Sequence, residues 1–249
     1  MGLSFNPFRF IKNIVHLFRK PKATEINVYF IPGMCYNCKV FDQLKLPAGF
    51  VKKYIEWHIP QPNETLSQYA HAMAKKIDSS RPFILVGYSF GAVIMQEMNR
   101  FLYPRKSIVI SSFKAVEEIP LLFQTVKKIH LVERVPKKLF SQTDFITEAF
   151  NRFVYHAKNE DLAAYMTQTD SVYIRWAVKQ ITNWTPDIKC KHLFHIHGTA
   201  DQIFPYDRLQ NVFPVEGGDH LMVLKKANTV SAILAAILLM KTNDDKLLS

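Results

Sequence analysis

Several things are missing from this chain, and each absence narrows what it can be. There is no secretory leader in the expected form, because Arg9 and Lys12 interrupt the apolar residues near the N-terminus. The myristoylation pattern fails at Asn6, where Ser or Thr is required. The apolar stretch Ile233–Met240 is too short to span a bilayer and reads instead as a helix buried against a sheet. No repeat, low-complexity tract or glycine-rich phosphate loop occurs. Nor does any recognisable nucleic-acid module, so no nucleic-acid partner is expected.

Cysteine and acidic residues are also sparse. Cys35, Cys38 and Cys190 cannot all pair, and the single C-x-x-C at Cys35–Cys38 does not make a zinc site. Free thiols in a reducing, cytoplasmic compartment are expected. Acids number 21 against 32 Lys and Arg, for a net charge of +11. That excess favours anionic partners, membrane surfaces or acidic carrier proteins. Residues 1–24 hold no acid but carry Arg9, Lys12, Arg19, Lys20 and Lys22. Their apolar residues recur at near-helical spacing, which predicts a basic amphipathic helix. It would rest either on an anionic membrane or on the protein's own surface.

What remains is an ordinary globular composition, 48% apolar and 21% charged over 249 residues. That length suits one core, with or without an inserted cap. Strand-like runs at Ile26–Ile31, Tyr54–Ile59, Phe83–Val86, Ser107–Ser111, Leu193–Ile196 and Val212–Val215 alternate with helical ones. The helices are expected at Glu64–Ile77, capped by Asn63, at Ala92–Leu102 and at Val230–Met240. Alternation of this kind predicts an α/β fold, a mostly parallel sheet with helices on both faces.

Gly87-Tyr88-Ser89-Phe90-Gly91 stands between a strand-like and a helix-like run. A serine at the apex of such a turn takes a strained backbone and stands clear of the sheet. Gly87 and Gly91 keep Cβ atoms out of the crowded turn. The helix that follows aims free N–H groups at the site. Ser89 is thus a candidate nucleophile. A hydroxyl needs a base, and a histidine base needs an orienting acid.

Both occur downstream. Asp201 follows the strand ending at Gly198, and His220 lies in the loop after the next strand, Glu216-Gly217-Gly218-Asp219-His220. Ser89, Asp201 and His220 therefore fall after successive strands, at the end of the sheet where open α/β folds bind ligands. Asp219 reads as a solvated loop residue, Asp207 falls within a short helix, and Asp187 precedes its strand. Ser111-Ser112-Phe113 offers no carboxylate at the other position where an acid could stand. Two of His192, His195 and His197 are expected to pack on one side of a strand, with His197 supporting the Asp201 turn. No pattern of metal ligands accompanies them. A second N–H donor is expected after the first strand, in Pro32-Gly33-Met34-Cys35. The N–H groups of Met34 and Phe90 would then form an oxyanion hole.

Ile31-Pro32-Gly33-Met34, Gly87-Tyr88-Ser89-Phe90-Gly91, His197-Gly198-Thr199-Ala200-Asp201 and Gly217-Gly218-Asp219-His220 resemble, in order, the landmarks of the α/β-hydrolase superfamily. The likeness is to its small single-domain bacterial serine hydrolases and spans about Thr24 to Lys241. Many relatives begin the oxyanion loop with His-Gly, where this chain has Pro32-Gly33. The resemblance implies hydrolysis of an ester, thioester or amide by a Ser-His-Asp triad, without cofactor or metal. Residues 25–112 and 188–249 would form the core.

Between them, residues 113–187 look helical and aromatic, with Phe123, Phe140, Phe145, Phe150, Phe153, Tyr155, Tyr165, Tyr173, Trp176 and Trp184. In this fold such an insertion implies a helical cap. The expected function is a serine esterase working on a small-molecule ester through an acyl-enzyme. A thioesterase or acyltransferase on the same triad is the near alternative. A silent scaffold used for binding or membrane recruitment is the distant one. For the N-terminal segment, sedimentation with anionic liposomes decides between the two placements: if it docks on a membrane, the full chain is depleted from solution and a variant lacking the first 22 or so residues is left behind. Equal partitioning would reject membrane docking.

Overall fold

The computed structural model describes residues 25–128, 164–186, 190 and 192–241. The segment 1–24, Asp187, Phe140, Phe145, Phe150, Phe153 and Tyr155 lie outside the described residues. Six strands form one sheet: β1 (Ile26–Ile31), β2 (Phe50–Tyr54), β3 (Phe83–Tyr88), β4 (Lys106–Ile110), β5 (Leu193–Gly198) and β6 (Phe213–Val215). Their order is β2-β1-β3-β4-β5-β6, and every neighbouring pair is parallel.

Strand alternation sorts the core. Val28, Phe30, Ile84, Val86, Ile108 and Ile110 pack on one face, and Tyr29, Ile31, Leu85 and Val109 on the other. A parallel sheet apolar on both faces must be covered twice. Helices α1 (Leu66–Ala74), α2 (Phe90–Met98) and α4 (Ser171–Asn183) cover the Tyr29 face. The Val28 face is covered by a 3-10 turn at Cys38–Phe41, by α5 (Met222–Lys225) and by α6 (Ala227–Leu239). In α6 the buried residues Ala227, Val230, Ser231, Leu234, Ile237 and Leu238 recur at helical spacing. All nine residues of α2 are buried. Another helix, α3 (Leu121–Lys128), packs on α4.

Two local expectations shift. The second strand is Phe50–Tyr54 rather than Tyr54–Ile59, pairing Ile26 with Phe50 through Phe30 with Tyr54. It is an edge strand, and edges tolerate lysines such as Lys52 and Lys53 that hide the strand from an apolar pattern. The more apolar Ile55–Ile59 leaves the sheet and carries Trp57 into the core. Helix α1 is capped by Thr65, not Asn63. Thr65 and Gln68 form a reciprocal capping box, and Asn63 takes a left-handed turn conformation at φ 60°.

The strand order reverses direction between β1 and β3, and loops after those two strands diverge to opposite sides. The loop after β1 makes a short backbone pairing with residues 165–168. Tyr36 bridges Met166, the Asn37 N–H donates to the Tyr165 carbonyl at 2.8 Å, and the Thr167 and Gln168 N–H groups reach the Cys35 carbonyl at 3.2 and 3.3 Å. The loop after β1 is thereby registered to the segment that leads into α4.

Close packing at the start of α2 sets the crevice. A Cβ added to Gly91 would lie 2.3 Å from the carbonyl oxygens of Ile31 and Pro32. Gly91→Ala must push α2 away from the end of β1. We expect a loss of about 3 kcal/mol in chemical denaturation, since the obstacle is backbone rather than a flexible side chain. A variant as stable as the parent would contradict this packing.

Candidate active site

Ser89 sits between β3 and α2 with φ 52° and ψ −121°, a conformation costly for any residue with a Cβ. Its N–H donates to the Ile110 carbonyl at the end of β4 (2.9 Å), and its own carbonyl accepts from the Ala92 N–H (3.0 Å). The turn is held from both sides. A Cβ on Gly87 would lie 2.4 Å from Ala92 Cα, so the tightness of the turn excludes any larger residue there.

Asp201 follows β5 and His220 follows β6. The structure brings both to Ser89: His220 Nε2 is 3.0 Å from Ser89 Oγ, and His220 Nδ1 is 2.9 Å from Asp201 Oδ2. The loops are tied together by Ala200 N–H donating to the Gly218 carbonyl and Thr199 N–H to the Val215 carbonyl. A carboxylate only accepts, so Nδ1 carries the ring proton and Nε2 is left to accept from the serine hydroxyl. Asp201 Oδ1 accepts from the N–H groups of Ile203 and Phe204 at 2.9 and 3.2 Å. Burial works to raise the Asp201 pKa. His220, His197 and the Phe204 N–H outweigh it and hold the carboxyl below its ordinary value. An ionised acid is thus kept inside the protein by directed donors.

Asp219, Asp207 and Ser111 stand elsewhere in this arrangement. Asp219 pairs with exposed Lys225 and accepts from the Leu221 N–H. Asp207 lies in a 3-10 turn, Tyr206–Arg208. Ser111 is buried in the left-handed region at φ 48°.

The loop after β1 also reaches the serine. A Cβ on Gly33 would be 3.3 Å from Ser89 Cβ. Among the described residues no hydrogen bond engages the N–H of Met34 or Phe90. Both cysteines of the C-x-x-C lie in this loop as buried free thiols. Burial pushes Cys35 up to about 12 and Cys38 up as well, which disfavours the thiolate that redox chemistry uses. Among the described residues no group of three or more His, Cys, Asp and Glu is placed to hold a metal ion. None of their helices is long and apolar enough to cross a membrane.

Sequence reasoning missed several supports. The Tyr88 hydroxyl donates to the His220 carbonyl at 2.9 Å, and the rings of Tyr88 and Phe204 lie 5.4 and 5.7 Å from the imidazole. Behind Asp201 is a chain of buried histidines. His197 Nε2 donates to the Phe204 carbonyl (2.8 Å) and lies 3.5 Å from Asp201 Oδ2. Because a carbonyl only accepts, His197 Nδ1 is free to accept from His195 Nε2, 3.2 Å away. His195 Nδ1 then faces Lys114 Nζ at 3.5 Å, and Lys114 pairs with Glu118. The spacing of His195 and His197 on one strand signalled a shared face, but the lysine that ends the chain carried no signal.

Burial lowers the pKa of His197 and, with neighbouring His197 and Lys114, that of His195. Both are neutral when folded, while the unfolded chain titrates near the ordinary value of 6.5. As pH falls below that value the unfolded state takes up protons first, so stability must drop. The slope has an upper bound of about 1.4 kcal/mol per pH unit for each histidine. Denaturation midpoints measured from pH 8 to 5 should decline on the acid side; a flat profile would mean that these rings are not held neutral.

Comparison of the sequence with family models and with curated proteins returned no match. Solved structures do resemble it. A thermophilic esterase from Thermogutta terrifontis superposes with a TM-score of 0.63 at 12% identity, covering 86% of this chain and 90% of that one. A hydrolase from Pseudomonas aeruginosa PA01 gives 0.61 at 11% identity, with 89% and 92% covered. A lipase-esterase related protein from Clostridium acetobutylicum gives 0.60 at 14%, with 87% and 96% covered. With its six parallel strands and flanking helices, this chain has the α/β-hydrolase fold.

Proposed function

We propose that the protein is a cytoplasmic serine hydrolase that cleaves a carboxylic ester of a small molecule. The observation that carries the reading is the continuous hydrogen-bonded line from Ser89 Oγ through His220 to Asp201, at 3.0 and 2.9 Å. Ser89 Oγ attacks the acyl carbon while His220 Nε2 takes the hydroxyl proton. The carbonyl π pair moves to oxygen, where the N–H groups of Met34 and Phe90 stabilise it. Collapse expels the alcohol oxygen, which takes the proton from His220, and leaves the acyl group on Ser89. Water then attacks the acyl-enzyme carbon, again giving a proton to His220; collapse breaks the bond to Ser89 Oγ, which takes that proton back from His220, and the acid departs. Asp201 keeps the ring in the required tautomer.

Residues 113–187 are proposed as a helical cap that bounds the acyl site. Its helix α4 turns Tyr173 toward Trp57 (5.6 Å between rings) and Trp176 toward Phe90 (6.0 Å). The Trp176 indole donates to the Glu64 carbonyl, and the Trp184 indole to Glu97. These rings pack among the core side chains and seat α4 on the core; the apolar acyl preference of the proposed cap rests on its aromatic content.

A fluorophosphonate probe should label the parent protein and not Ser89→Ala. Ser89→Ala should lose at least about 10³-fold in kcat, and Asp201→Asn a comparable amount, with the fold retained by circular dichroism. Turnover by Ser89→Ala equal to the parent would refute the nucleophile. A panel of esters, thioesters and amides of rising acyl length should show preference for esters and rates that climb with length. Preference for thioesters would move the assignment to the near alternative, and a flat length profile would remove the cap from substrate selection.

A further inference from the structure

We propose that Trp57 is the positioning residue of the oxyanion site, acting on both N–H donors through one indole. The inference rests on the acyl-enzyme reading above and adds a residue to it. The Trp57 Nε1–H donates to the Gly33 carbonyl at 3.0 Å, deep in the protein, and the Tyr36 N–H donates to the same oxygen at 3.1 Å. The Gly33–Met34 peptide is trans, so its carbonyl and the Met34 N–H point in opposite directions. Fixing the oxygen on one side therefore aims the N–H on the other. Gly33 lies directly beside Ser89, as the 3.3 Å approach of a Gly33 Cβ to Ser89 Cβ establishes.

The same indole stacks on the ring of Phe90, with centroids 5.5 Å apart and planes within 20°. The Phe90 N–H is the second donor. One side chain thus touches the peptide that carries the first donor and the residue that carries the second.

A buried tryptophan needs an acceptor for its N–H in any case. Here the backbone around Trp57 is anchored on both sides, which a filler of the core does not require. Ile55 N–H donates to the Phe30 carbonyl, and Lys76 Nζ to the Glu56 carbonyl at 2.9 Å. The Tyr69 hydroxyl brackets the next residue, donating to the His58 carbonyl at 2.6 Å and accepting from the His58 N–H at 3.1 Å. Glu56 also reaches forward to the oxyanion loop, accepting from the Cys38 N–H at 2.9 Å. An indole held this firmly can transmit its position to the carbonyl that it binds.

The test uses the full chain and two changes that remove the indole N–H. Trp57→Phe keeps an aromatic ring. Replacement of Trp57 by β-(3-benzothienyl)alanine keeps the shape as well, with sulfur in place of N–H. Three readouts are taken with a preferred ester: kcat and KM, inhibition by the matching trifluoromethyl ketone, and inhibition by the matching methyl ketone. The trifluoromethyl ketone forms a tetrahedral oxyanion on Ser89, whereas the methyl ketone is bound as a ground state. Both variants should lose about 10- to 100-fold in kcat and in trifluoromethyl ketone affinity. Their KM and methyl ketone affinity should stay within about 3-fold of the parent. An unchanged kcat in the benzothienyl variant would overturn the proposal. So would equal weakening of both ketones, which would reduce Trp57 to a packing residue. If the parent itself neither turns over nor reacts with a fluorophosphonate, the acyl-enzyme reading fails and this inference falls with it.

Discussion

The strained backbone at Ser89 is the constraint to which the rest of the structure answers. A serine at φ 52° and ψ −121° will relax unless its surroundings forbid it. Two features forbid it. The N–H is tied to the end of β4, and α2 is packed so closely on the ends of β1 and β3 that Gly87 and Gly91 leave no room for a methyl group. The helix itself is buried on all sides, which removes any path for it to swing away. The strain is then a property of the packed sheet rather than of one residue.

The second demand is electrostatic. An ionised carboxyl inside a protein is expensive unless every lone pair meets a donor. Asp201 meets two backbone N–H groups and the His220 ring, with His197 close by. His197 is in turn satisfied by Phe204 and His195, and the line ends at partly exposed Lys114 and buried Glu118. Because a backbone carbonyl fixes one end, each ring has a single workable tautomer. The network has a direction, and it leaves no proton free to neutralise the acid.

The fold was largely legible because parallel strands buried on both faces read as apolar runs, and the loops after them carry conspicuous glycines. Ser89, Asp201 and His220 stood out because each follows a strand, so their meeting at one rim needed only the topology. The misplaced strand has a physical origin: at an edge, lysines are tolerated, and in the more apolar Ile55–Ile59 it is Ile55 and Trp57 that belong to the core, without belonging to the sheet. The cap of α1 moved to Thr65 because its partner Gln68 closes a capping box that Asn63 cannot form. Trp57, Tyr88 and Lys114 were invisible as supports. Their partners are carbonyls or rings remote in sequence, and any residue supplies a carbonyl.

The backbone pairing of residues 35–37 with 164–168 has an evolutionary and engineering corollary. From Ala164 onward the connection between β4 and β5 is held in register to the loop beside the serine. A relative with a longer or shorter connection would have to take up the difference before that point. A chimera that replaces part of that connection should splice upstream of Ala164, leaving the last stretch native, if the graft is not to drag the neighbouring turn out of shape.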